Sequence, residues 1–197
     1  MIRRSRAGPA YRCLAALCVL TVLHGCVTRA ARVQREFDPR TGTERIEVAH
    51  PGFTLRLAPL NPDYVVAVFT ARGLPREVAE ATRGYCTFGT TIRNTGREPL
   101  HYRLTDWRYV TPDGKVHRIK TKTAWLEEWR RRGVPFRWLL LHEEQTYQPG
   151  DWGQGFTTVA LPPGSRFDLY YSWTQGEEHH EGRITGVRCA PARLPAP

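Results

Sequence analysis

Turn residues divide this chain into segments suited to short strands and brief helices. Pro51-Gly52, Asn94-Thr95-Gly96, Pro112-Asp113-Gly114, Gln148-Pro149-Gly150, Pro162-Pro163-Gly164 and Gly176 recur along it. Glycine supplies positive φ, and proline fixes φ and removes a donor, so each cluster favours a reversal. Asp113-Gly114 is the strongest hairpin signal, because that pair readily takes the dihedrals of tight turns. Between the turns the expected strands are residues 45–49, 53–57, 64–69, 85–93, 100–110, 116–120, 136–141, 156–161, 166–173 and 183–189. Within 85–93, Cys86, Phe88, Thr90 and Ile92 fall on one side. Within 100–110, Leu100, Tyr102, Leu104 and Asp106 point one way, and Trp107 and Tyr109 the other.

Two segments read as helices. Residues 74–83 have Pro75 in the first turn and Gly84 where a helix stops. Residues 123–132 are expected to be capped by Thr123 and ended by Gly133, with Glu127–Arg131 and Glu128–Arg132 at i,i+4 spacing. Many short strands with one or two short helices predict a mainly β fold, an antiparallel β-sandwich. The run Ile92-Arg93-Asn94-Thr95-Gly96, then Pro99-Leu100, then Pro112-Asp113-Gly114-Lys115, resembles the strand-turn-strand pattern of immunoglobulin-like bacterial envelope domains. The resemblance spans about residues 85–173. It implies an immunoglobulin-like sandwich and no activity.

The N-terminus carries an address. Arg3, Arg4, Arg6 and Arg12 precede an apolar run from Cys13 to Leu23, the layout of a secretory leader. Only 16 uncharged residues separate Arg12 from Arg29, short of the ~20 that a membrane-spanning helix needs. Leu23-His24-Gly25-Cys26 resembles the lipobox of bacterial lipoproteins, which implies cleavage before Cys26 and fatty acylation of its thiol. Acyl chains at ~0.8 kcal/mol per buried methylene give stable membrane attachment. Val27 and Thr28 follow, with no aspartate after the cysteine. By the rule of that family, this implies an outer-membrane destination facing the periplasm. The expected organisation is a leader over 1–25, a lipidated cysteine and flexible tether over 26–43, a sandwich domain over 44–190 and a disordered tail over 191–197. The tether holds Arg29, Arg32, Arg35 and Arg40 against Glu36 and Asp38.

Subtracting the four leader arginines leaves 25 basic against 19 acidic side chains, a formal charge of +6 in place of +10. Such an excess favours anionic neighbours in the envelope: phospholipid headgroups, lipopolysaccharide or anionic cell-wall polymer. Nucleic acid is not expected there. Cys13 and Cys18 leave with the leader and Cys26 carries lipid, so Cys86 and Cys189 are expected to pair in an oxidising compartment.

Candidate chemistry is sparse. Glu177-Glu178-His179-His180-Glu181 is the one dense group of ligand-type side chains, and Glu178, His179, His180 and Glu181 could hold zinc or copper. Adjacent histidines on a strand project to opposite sides, however, and a polar hairpin tip is expected here. Arg130, Arg131 and Arg132 could bind an anion, or simply stabilise a helix C-terminus. Trp125 and Trp129 share a helical face that either stacks on a glycan or, as amphipathic helices usually do, turns inward. There is no Gly-x-Ser-x-Gly elbow, no His-Glu-x-x-His helix and no phosphate-binding glycine loop. The sequence therefore predicts a non-enzymatic, lipid-anchored envelope protein without a cofactor. It would bind or position a protein or an anionic polymer; metal binding and glycan binding are the alternatives.

Overall fold

The computed structural model describes residues 31–137 and 139–194. The leader, Cys26 and Trp138 lie outside the described residues. Two antiparallel sheets pack face to face. In the first, β1 (Arg32–Asp38), β2 (Thr43–His50), β3 (Phe53–Leu60), β4 (Cys86–Asn94) and β9 (Trp152–Val159) lie in the order β1-β2-β3-β4-β9. The second contains β5 (Leu100–Arg103), β6 (Arg108–Val110), β7 (Val116–Arg118), β8 (Glu144–Tyr147), β10 (Arg166–Gln175) and β11 (Glu178–Arg188). Here β11 runs along one edge of β10, while β6 and β5 share the other edge. Strand β7 lies beyond β6, and β8 beyond β5. This is the sandwich that the turn pattern predicts, with three short helices: α1 (Pro62–Ala71), α2 (Arg76–Glu80) and α3 (Lys122–Arg131).

Several local expectations change. Residues 64–69, read as a strand from their β-branched content, lie in α1. The Asn61 carboxamide accepts from the Asp63 amide, Pro62 opens the first turn, and Val65, Val66 and Phe69 bury one face. Capping and burial here override propensity. The α3 cap is Thr121 rather than Thr123; its hydroxyl accepts from the Ala124 amide. The expected helix over 74–83 is split into α2 and a 3-10 turn over Ala81–Gly84. The described residues of 136–141 form no strand, and Leu140 makes a single bridge to Phe156. Residues 32–38, expected within a flexible tether, form β1. A reversal at Gly42 (φ +65°) returns the chain, and the whole length of β1 pairs with β2.

The segment read as one strand over 100–110 is broken by a 3-10 turn at Leu104–Asp106. The turn shifts the side-chain phase, so Leu100, Tyr102, Leu104, Trp107 and Tyr109 all enter the same core. Uninterrupted alternation would have put Trp107 and Tyr109 on the far face. Cys86, Phe88, Thr90 and Ile92 on β4 do alternate as expected and are buried.

Strand β4 is fastened to the opposite sheet at both ends. Its first residue, Cys86, is disulfide-bonded to Cys189, just beyond β11, with 5.4 Å between the α-carbons. Its last residue, Asn94, has no exposed surface. The Asn94 Nδ2 donates to the Tyr147 carbonyl of β8 at 2.9 Å and to the Glu98 carbonyl at 2.8 Å. Its Oδ1 accepts from the Gly96 amide at 2.9 Å and from Gln175 Nε2 of β10 at 3.3 Å.

Asn94→Ala removes the buried hydrogen bond to the Tyr147 carbonyl, at about 1–3 kcal/mol, and Asn94→Asp does not restore it because a carboxylate cannot donate. Urea midpoints for both variants should fall together; a wild-type midpoint in Asn94→Asp would show that the donors do not matter. Replacing Cys86 and Cys189 together by serine should lower stability by about 2–5 kcal/mol, mainly through the freer unfolded chain. An unchanged midpoint would remove the disulfide from this account.

Candidate binding face on the five-stranded sheet

The five-stranded sheet is used on both faces. Its inner face meets the second sheet. Part of its outer face lies under the helices, in a second core of Val65, Val66, Phe69, Leu74, Val78, Ala79, Trp125, Trp129, Phe136 and Leu140. Leu60 of β3 and Phe156 of β9 pack against that core. The other part of the outer face remains bare.

Strand alternation sets what it presents. On β9, Trp152 and Gln154 point outward while Gly153 and Gly155 point inward. Neither glycine could carry a side chain. A Cβ at Gly153 would collide with the Tyr147 ring, and one at Gly155 with the backbone of Leu140 and Leu141. Register then places Trp152 opposite Arg93, Gln154 opposite Thr91, Thr54 opposite Arg93, and Arg56 opposite Thr91. These residues, with Glu47 and Thr95, line a shallow hollow of about 380 Å³. The start of β9 is held firmly. The Asn94 amide donates to the Asp151 carbonyl at 2.9 Å, and the Asp151 carboxylate accepts from the Gln148 amide at 3.0 Å.

Trp152 is 51 % exposed. The Arg56 guanidinium is 2.6 Å from Glu47, whereas Arg93 has no carboxylate partner among the described residues. An exposed indole beside an uncompensated guanidinium, flanked by hydroxyls and a carboxamide, can stack on the apolar face of a ring. It can also pair with an acid group on that ring. No imidazole or thiol lines the hollow.

The residues singled out from sequence are placed elsewhere. Trp125 and Trp129 are each only 1 % exposed. Trp125 Nε1 donates to Thr158 Oγ1 at 2.8 Å, and Lys120 Nζ sits 3.5 Å over its ring. Both indoles belong to the helix–sheet core, and their faces are not open to a glycan. Arg130, Arg131 and Arg132 are exposed at the end of α3, where Arg132 pairs with Glu128 at 3.3 Å. Consecutive helical positions splay around the axis, so the three do not converge on one point.

Glu178, His179, His180 and Glu181 lie on β11 rather than in a hairpin tip, and they divide between its two faces. His179 is 3.8 Å from Glu181, and His180 is 3.7 Å from Glu178. Among the described residues no group of three or more histidine, cysteine, aspartate or glutamate side chains is placed to hold a metal ion. Cys86 is held in its disulfide and is no nucleophile. No helix among the described residues is long and apolar enough to cross a membrane.

No family model matches the chain, and no curated protein matches it. A solved structure described as "X-ray structure of Northeast Structural Genomics Consortium target SoR45" is similar, with a TM-score of 0.32 and 13 % identity. The match covers 82 % of this chain and 85 % of that one.

A histidine cluster closes one end of the main core. His50 Nε2 lies 2.8 Å from the Tyr171 hydroxyl, and the His50 and His180 rings both pack on Trp173, with centroids 4.6 and 5.1 Å away. Burial, and then the neighbouring His180, push His50 below its ordinary value of 6.5. Burial raises the Tyr171 hydroxyl, which stays protonated. Because the unfolded chain holds the His50 proton more tightly, stability from neutral His50 is present above about pH 6.5 and is lost as pH falls below it. Denaturant midpoints should therefore drop between pH 7.5 and 5.5, and the drop should shrink in His50→Gln. Equal slopes in the two proteins would remove His50 as the cause.

Proposed function

We propose that this protein is a lipid-anchored component of the bacterial envelope that binds an anionic polymer on the bare outer face of its five-stranded sheet. The acyl chains are carried by Cys26, and the outer membrane, on its periplasmic side, is the destination. What carries the reading is Trp152, half exposed on a rigid strand and directly opposite Arg93, whose guanidinium has no carboxylate partner among the described residues. The disulfide suits an oxidising compartment. The groups on this face recognise rather than transform: an indole plane for a sugar ring, Arg93 for a carboxylate or phosphate, and Thr54, Thr91 and Gln154 for hydroxyls.

Calorimetry of the full chain with acidic peptidoglycan fragments and lipopolysaccharide core oligosaccharide, with neutral dextran as control, tests the face. Binding to an acidic ligand should fall about tenfold in either Trp152→Ala or Arg93→Ala, with Trp129→Phe unaffected. Equal affinity in wild type and both variants would discard this face. Crosslinking in intact envelopes that captured only proteins through it would replace the polymer by a protein partner. Mass spectrometry of the membrane-extracted chain should show diacylated Cys26 as the first residue; an unmodified, uncleaved N-terminus would refute the anchor.

A further inference from the structure

The two sheets expose their edge strands on the same side of the sandwich, and the cleft between these edges is basic. Among the described residues β1 pairs only with β2, and β11 only with β10. They meet where Arg35 Nη2 donates to the Thr185 carbonyl at 2.6 Å. Next to that contact is a cleft of about 460 Å³ whose lining includes Arg35, Phe37, Glu44, Arg166 and Arg188. Arg35 is compensated by Glu44 at 2.6 Å. Arg166 and Arg188 are not: both are exposed, and neither makes an ion pair or side-chain hydrogen bond among the described residues. They stand directly opposite each other across β10 and β11.

Like charges in that relation are destabilising. The other directly opposed arginines on this sheet, Arg108 and Arg118, are each accommodated. Arg108 lies over the Tyr170 ring at 4.8 Å, and Arg118 donates to the Thr105 carbonyl at 2.7 Å. Arg166 and Arg188 have no such outlet. Two guanidiniums flanking one cleft suit a phosphate, which each can engage bidentately.

Apolar groups stand beside them. Register puts Val33, Arg35 and Phe37 on one face of β1, the side from which Ile46 and Val48 of β2 enter the core. At β1 that face overhangs the edge of the second sheet, and Phe37 and Val33 are 63 % and 46 % exposed. Exposed apolar side chains interleaved with arginine fit the polar–apolar boundary of a bilayer.

We infer that this edge rests on a membrane surface containing anionic phospholipid, with Arg166 and Arg188 on headgroup phosphates and Phe37 and Val33 at the headgroup–acyl boundary. The inference rests on the lipid-anchored reading for its geometry. Only five residues separate Cys26 from Arg32, and the six extended steps between them span at most about 22 Å. An acylated Cys26 therefore keeps the start of β1 within that distance of the bilayer.

The test uses full-length chain extracted from membranes. It is mixed with vesicles of phosphatidylcholine alone, or of equal parts phosphatidylcholine and phosphatidylglycerol, and followed by co-sedimentation and amide hydrogen exchange. Sedimentation with neutral vesicles reports the anchor, and exchange reports the edge. Amides of β1 and β11 should exchange about tenfold more slowly on anionic vesicles than on neutral ones. Both Arg166→Glu/Arg188→Glu and Phe37→Ser should abolish that slowing, with near-ultraviolet circular dichroism unchanged. Sedimentation with no slowing at the two strands would overturn the inference and leave the anchor standing. Binding to anionic vesicles alone, with the slowing, would sustain the inference and refute the anchor. Slowing that depends on protein concentration and needs no vesicles would assign the edge to a second copy of the chain instead.

Discussion

One buried carboxamide and one disulfide, at the two ends of β4, hold this sandwich together. A strand paired on both edges, with one face in the core, has little freedom to slip, since a one-residue shift would exchange every inward side chain for an outward one. Asn94 adds directional bonds to that constraint. Its donors reach carbonyls of residues 98 and 147, and its acceptor takes the turn amide of Gly96 and the side chain of Gln175. Four groups from three stretches of chain are thereby fixed around one side chain. At the other end, the bond between Cys86 and Cys189 ties the same strand to the last residues of the fold.

The bare outer face follows from this arrangement. Helices α1, α2 and α3 cover the end of the outer face where Leu60, Tyr85 and Phe156 supply apolar contacts, and they leave Thr54, Arg56, Thr91, Arg93, Trp152 and Gln154 uncovered. The division is written in residue type along each strand. On β9 the outward series runs Trp152, Gln154, Phe156, Thr158, polar or amphipathic at its start and engaged with the helices at its end. Rigid positioning is what a recognition surface needs, because a ligand then pays less ordering entropy on binding.

Much of the architecture was legible in the sequence because turns and alternation are local signals. The alternation of Cys86, Phe88, Thr90 and Ile92 marked β4 correctly, and the count of remaining cysteines marked the disulfide. What escaped depended on distant partners. Val65 and Val66 look like strand residues until the Asn61-Pro62-Asp63 start of α1 is recognised. Residues 32–38 look like a linker because every side chain but the last is exposed, and only pairing with β2 makes them a strand. The phase change at Leu104–Asp106 is a three-residue event invisible to period counting. The bare face was hidden for a related reason. Trp125 and Trp129 carry a helical spacing that period counting detects, whereas Trp152 is outward because Gly153 faces Tyr147 and Gly155 faces Leu140 and Leu141.

The order of these elements along the chain has a mechanical consequence. Tension applied from the N-terminal side enters at Arg32, at the open end of the β1–β2 hairpin, where Arg32 lies opposite Ala49. Pulled there, the ladder unzips one rung at a time instead of shearing as a block. Extension that continued through β2 and β3 would stop at Cys86, since the covalent ring closed with Cys189 cannot lengthen. A load from that side would thus spend itself on the early hairpins, and everything inside that ring would be shielded from the pull.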